Sequence, residues 1–248
     1  MPYSQNGPHK IWYDHEGSGD PVLLISGFGM RGIAWHRQVE ALKEHHHVAF
    51  FDHAGLGDSG ELRTRRLKMT HMAEDAIGVA DSLGWDRFHL VGISMGGMIA
   101  QHVALAVTSR IKTLTLTATH AGGLKPLKLP APGFKQFVKA NRAASQPERI
   151  EALSKLLFSS DFIQEQPDLA RELILADFAS EPAVRTRLAQ IHAIAGHNTR
   201  SRLHRLAIVP TLVVRPDLDI LIDPSHSDEL RRLVPGAQFA SFASGHGI

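Results

Sequence analysis

Short apolar runs that close on a polar residue punctuate the first half of the chain. Val22-Leu-Leu-Ile-Ser26, Val48-Ala-Phe-Phe-Asp52 and Phe88 to Ile93 are apolar at most positions, Ile111 to Ala118 at half of them, and all are too short for buried helices. They read as strands buried on both faces of a parallel sheet. Between them, Ile33, His36, Val39 and Leu42, and then Met72, Ala76, Val79 and Leu83, recur at helical spacing. From His120 the alternation breaks. A Pro- and Lys-containing stretch, GGLKPLKLPAPG, leads into four helix-like patterns with no strand between them. These are marked by Phe134/Phe137/Val138, Ile150/Leu153/Leu157, Leu169/Leu173/Ala176 and Val184/Leu188/Ile191/Ala195, with Pro147, Pro167 and Pro182 near helix starts. Strand Pro210–Arg215, helix Ser225–Val234 and strand Ala237–Phe242 then resume the alternation. The expected fold class is α/β, a mostly parallel, doubly wound sheet with an inserted all-helical lid. Residues 1–120 and 206–248 would form the core, and residues 121–205 the lid.

Composition narrows the setting. The 248 residues are 43% apolar and 21% charged, which suits one domain with a sizeable core. No apolar run approaches membrane-spanning length, and MPYSQNGPHK lacks the apolar stretch of a secretory signal. With no cysteine, disulfide, thiolate and cysteine–zinc chemistry is excluded. A cytoplasmic location is expected. The net charge of +2 argues against nucleic acid as a partner. The charge is uneven, however. Thirteen Lys/Arg face eight Asp/Glu between Ala121 and Val209, leaving that segment at +5 and the rest at −3. Solvated helix faces are the plain explanation, and attraction of an anionic substrate the sharper one. Arg142 and the lid lysines are candidates for the latter. His45-His46-His47 reads as a surface turn, because adjacent residues do not converge on one ion as spaced ligands do. No metal or cofactor is expected.

The chemistry concentrates in His89-Leu-Val-Gly92-Ile-Ser94-Met-Gly96-Gly-Met-Ile-Ala-Gln-His102. A Gly-x-Ser-x-Gly arises by chance roughly 0.1 times in a chain of this composition, so its context decides. Here it follows a buried strand and opens a helix. A one-residue turn between the two forces the serine into a strained conformation and lifts its hydroxyl clear of the sheet. Gly92 and Gly96 then allow the close approach. The helix N-terminus offers unpaired N–H groups, so Met95 N–H is a candidate oxyanion donor. Ser26-Gly-Phe28-Gly29, after the first apolar run, offers Phe28 N–H as a second. A serine hydroxyl needs a base, and the base an orienting carboxylate. His246, in Ser244-Gly-His-Gly247 just past the last strand, is the candidate base. Asp217, Asp219 and Asp223 compete for the acid. Asp219 is preferred, because Ile220-Leu-Ile222 after it can pack and hold its carboxylate. Asp217 is the reserve, and Asp223 reads as a helix cap. His120, at a strand end, is a candidate for the pocket lining.

These motifs resemble the α/β-hydrolase superfamily from about Lys10 to Ile248. Gly92-Ile-Ser-Met-Gly-Gly97 is the strongest match. Phe51-Asp-His-Ala-Gly-Leu-Gly-Asp-Ser59 is similar to the family's Asp-x-Arg-Gly-x-Gly-x-Ser turn, with Ala54 in place of arginine, and Ser26 stands where a histidine is frequent. Pro216-Asp-Leu-Asp219 is similar to the acid turn, with Pro216 in place of glycine, and Ser244-Gly-His-Gly247 to the histidine loop. The resemblance implies a serine hydrolase of the enol-lactonase, esterase and carbon–carbon hydrolase branch. Its substrate would be a small-molecule ester or lactone, cleaved through an acyl-enzyme. The alternatives it implies are carbon–carbon hydrolysis of a ring-cleavage product and a non-catalytic small-molecule receptor. Members normally continue past the histidine loop into a final helix, so a chain stopping at Ile248 reads as a shortened one.

Overall fold

The computed structural model describes residues 2–5, 7–62, 64, 66–123, 131–178 and 182–248, with Ala131 and Asp177 by backbone alone. In chain order the elements are β1 (Tyr3–Ser4), β2 (Ile11–Glu16), β3 (Asp20–Ile25), α1 (His36–Leu42), β4 (His46–Phe51), α2 (Met69–Ser82), β5 (Phe88–Ile93), α3 (Met95–Ala106) and β6 (Ile111–Thr117). Five helices follow: α4 (Ala131–Arg142), α5 (Gln146–Leu157), α6 (Ser160–Glu165), α7 (Pro167–Asp177) and α8 (Val184–Ala195). The chain then returns through β7 (Thr211–Pro216), α9 (Ser225–Leu233) and β8 (Gln238–Phe242).

The eight strands run in the order β1-β2-β4-β3-β5-β6-β7-β8. β2 pairs antiparallel with both β1 and β4, and the remaining pairings are parallel. This is the expected mostly parallel sheet with inserted helices. Alternation along the strands divides the core. Leu23 and Ile25 point into the larger cluster under α2 and α3, whereas Val22 and Leu24 point to a smaller one with Val39 of α1. α3 is buried from Met95 to Leu105, which explains why its sequence is apolar all round rather than striped.

The strand order places the site. From β3 the chain turns to β4 on one side, whereas β5 leads on to β6 on the other. The carboxyl ends of β3 and β5 therefore flank a switch point, where open α/β sheets leave a crevice. The inserted helices cover this end. They leave and rejoin the core through a narrow neck, where Gly122 bridges Asn198 and Thr199 N–H donates to Ala121 O at 2.9 Å. Their own core joins Ala140, Ala152, Leu153, Leu156 and Ile174. Leu203 and Leu206, past the neck, pack instead in the main core. Among the described residues, no helix is long and apolar enough to cross a membrane.

Candidate active site

Ser94 is the one residue between β5 and α3, and its backbone stands at φ 56°, ψ −120°. A non-glycine residue there costs about 1–3 kcal/mol unless its surroundings hold it. Several contacts do. Ser94 N–H donates to Thr117 O at 2.9 Å, and Ser94 O accepts from Gly97 N–H at 3.0 Å and from Thr119 Oγ1–H at 2.7 Å. The glycines work by absence. A Cβ on Gly92 would collide with Gly96 O, and one on Gly96 with Ile25 O. Both obstacles are backbone and cannot swing aside.

The loop after β3 lies against this turn, since a Cβ on Gly27 would stand 3.4 Å from Ser94 Cβ. Met30 N–H closes the loop on Gly27 O at 3.4 Å, and the Phe28 ring packs on Phe137 of α4 with centroids 6.2 Å apart. Asp52, fully buried, braces the loop's far side by accepting from Gly32 N–H at 2.7 Å and Asp58 N–H at 3.0 Å. Met95 has its side chain in the main core. What it brings to Ser94 is its N–H, the first of α3, which the helix leaves unpaired.

Asp219 lies in the turn after β7 with its carboxylate fully shielded. Oδ1 accepts from Leu221 N–H at 2.7 Å and Ile222 N–H at 2.9 Å, and Oδ2 lies 2.7 Å from His246 Nδ1. An ionised acceptor so placed fixes Nδ1 as the protonated nitrogen and leaves the Nε2 lone pair for other work. His246 is tied down despite its position in the chain. Leu218 N–H donates to Ser244 O at 3.0 Å, and Gly247 N–H donates to Leu157 O, at the end of α5, at 2.7 Å. Asp217 instead pairs with Arg215 at 2.7 Å. Asp223 accepts from Ser225 N–H at 2.9 Å at the start of α9, and the Ser225 hydroxyl and amide hold its carboxyl below the usual range.

Ser94, Phe28 and His246 share the wall of a cavity of about 670 Å³, closed above by α4, α5 and α7. Most of that wall is apolar, from Phe137, Leu153, Leu157, Phe162 and Leu173 among others. His120 corrects the sequence reading. It is not among the described residues lining the cavity. Its Nδ1 accepts from Gly122 N–H at 3.0 Å, and its ring lies beside His197 and His226. It faces the neck because β6 ends beneath the neck rather than beneath the cavity. Arg142 likewise is not among the described wall residues, but Arg149 is. His46 and His47, adjacent on β4, point to opposite faces, one toward Asp20 O and the other toward His15 and Trp85. Among the described residues no group of three metal-binding side chains converges.

Gln190 of α8 was not visible as a site residue in the sequence. It is fully buried, and its Oε1 accepts from Gly29 N–H at 3.1 Å, tying the inserted helices to the loop that carries Phe28. Its partner is 161 positions away, so no local pattern could have shown it.

Comparison with known proteins accords with this geometry. Residues 20–248 match the model of the α/β hydrolase fold. The chain is 32% identical over 245 residues to a protein of Azorhizobium caulinodans named "Putative carbamate hydrolase RutD", spanning 97% of this chain and 89% of the other. The solved structure of the enol-lactonase from Burkholderia xenovorans LB400 superposes with a TM-score of 0.82 at 23% identity, over 99% of this chain and 92% of that one. A thermophilic esterase from Thermogutta terrifontis gives a TM-score of 0.79 at 25% identity with the same coverage.

Proposed function

From the premise that this chain belongs to the α/β-hydrolase family, we propose that it is a serine hydrolase of small carboxylic esters or lactones. One observation carries the reading. His246, buried and paired with Asp219 at 2.7 Å, shares a cavity wall with Ser94, which stands on a strained strand-to-helix turn.

His246 Nε2 takes the Ser94 proton as Oγ attacks the substrate carbonyl carbon. The carbonyl π electrons move to oxygen, and the N–H groups of Phe28 and Met95 receive the oxyanion. Asp219 steadies the imidazolium without taking its proton. The tetrahedral intermediate collapses, the C–O bond to the alcohol breaks, and His246 returns its proton to the leaving oxygen. Water then attacks the acyl-enzyme with His246 again as base. Collapse releases the acid and restores the Ser94 hydroxyl. A carbamate carbonyl fits the same steps. The large apolar wall favours substrates that carry an apolar chain.

A fluorophosphonate probe tests the reading on the wild type, Ser94→Ala and His246→Ala. Labelling of wild type alone, with turnover of p-nitrophenyl acyl esters, is expected. An unlabelled wild type would leave a binding protein, and equal labelling of Ser94→Ala would mean another nucleophile. Running p-nitrophenyl carbamates beside the esters separates the two carbonyl classes.

A further inference from the structure

One face of α5 lines the cavity from end to end, through Arg149, Leu153, Leu156 and Leu157. Its far end is fixed beside the candidate base, because Leu157 O accepts from Gly247 N–H at 2.7 Å. Eight residues of helix rise about 12 Å, so Arg149 stands that far along the wall from the reacting end. Leucines occupy the interval.

Arg149 is out of place by ordinary criteria. It sits in the first turn of α5, where the helix dipole disfavours a cation. It is half-buried, and Nη1 makes a long hydrogen bond of 3.5 Å to Phe178 O. No described carboxylate forms an ion pair with it, although the other two arginines on the wall both have polar partners. Arg37 lies 3.8 Å from Glu172, and Arg187 donates to Asn141 Oδ1 at 3.5 Å. A partly desolvated guanidinium at the end of an apolar channel is stabilised by an anion that reaches it, and carboxylate fits its planar fork.

We propose that Arg149 forms an anion subsite, and that the substrate class is an ester or lactone with a carboxylate at the far end of an apolar chain. This rests on the serine-hydrolase reading for the reacting end only. The subsite itself is a matter of binding.

The probes are mono-p-nitrophenyl esters of succinic, adipic, suberic and sebacic acids, each beside the same ester with its free carboxyl methylated. The longer acids should be preferred over their methylated partners by about tenfold or more in kcat/KM, as for a charge-assisted hydrogen bond. Arg149→Met should abolish that preference, each acid then being turned over at the rate of its own methylated partner, and Arg149→Lys should retain part of it. A preference greatest for succinate, or one that survives Arg149→Met, overturns the proposal. Calorimetric titration of Ser94→Ala with suberate and octanoate keeps the two readings apart. Suberate binding that Arg149→Met removes upholds the subsite even if no ester is turned over. Equal affinity for suberate with and without Arg149, in variants of unchanged melting temperature, refutes it.

Discussion

Two groups of histidines lie about equally deep in this protein, and their neighbours set them to opposite uses. His246 and the His102–His197–His120 group are each less than a tenth exposed. His246 has the Asp219 carboxylate at 2.7 Å, itself held by two backbone N–H groups. Among the described residues, the other three have no carboxylate partner, and their hydrogen bonds run to neutral groups. His197 Nε2–H donates to His120 O at 3.0 Å, which leaves His197 Nδ1 to accept from His102 Nε2–H at 3.2 Å. Glu229, near His226, is already engaged by Arg200. Burial without a counter-charge pushes His102 down to about 4, and His120 and His197 to about 3. These three brace the neck between α3 and the inserted helices as neutral hydrogen-bonding blocks. Depth without a counter-charge keeps these three histidines neutral, and a carboxylate partner is what sets the surroundings of His246 apart.

The most severe way to break the contrast is to neutralise Asp219. Asp219→Asn should lower kcat by about 10⁴-fold, because the amide no longer fixes the imidazole tautomer or steadies its cation. The fold should survive, as the amide oxygen can still accept from Leu221 and Ile222. Ester turnover measured beside circular dichroism checks this. Near-normal turnover would shift the role away from Asp219.

The neck histidines make a thermodynamic prediction of the opposite kind. Their folded pKa values lie below the ordinary 6.5, so the unfolded chain binds more protons as the pH falls through that value. Their contribution is therefore complete above about pH 6.5 and is lost progressively toward about pH 3. Melting temperature should fall across that window. His197→Gln retains a donor for His120 O and an acceptor for His102, yet removes one titrating group. It should melt like wild type at pH 7.5 and show a shallower decline in acid. Identical slopes would mean that other groups govern acid lability.

The sequence carried local patterns well and distant pairings poorly. The four short apolar runs are strands, and Gly92-Ile-Ser94-Met-Gly96 sits between strand and helix, because buried strands and one-residue turns leave their mark within a few positions. Ile11–Glu16 escaped, since only its first half is buried and the exposed Asp14, His15 and Glu16 hide the strand. α6 escaped because six residues are too few to show a helical period. Asp219 could be preferred over Asp217 and Asp223 from the packing residues after it, although its contact with His246 spans 27 positions. His120 was misjudged for a related reason. A strand end was legible, but whether it opens toward the cavity or the neck depends on where residues 197–199 return.

Gln190 extends the contrast to a neutral side chain, with the smallest expected effect. Its Oε1 is paired with Gly29 N–H, whereas its Nε2 is buried without a partner among the described residues. If partner identity matters more than depth, only the oxygen end should matter to turnover. Gln190→Glu keeps an acceptor for Gly29 N–H, and Gln190→Leu leaves that N–H buried and unpaired, at about 1–3 kcal/mol. In the leucine variant the Gly27–Gly29 loop should relax and the Phe28 N–H drift from the oxyanion position. That position matters in the transition state more than in the bound ester, so kcat should drop about tenfold with KM little changed. The glutamate variant should recover most of the loss. A purely structural role would instead lower melting temperature in both variants and leave kcat per folded molecule intact, so measuring kcat on active-site-titrated protein decides between them.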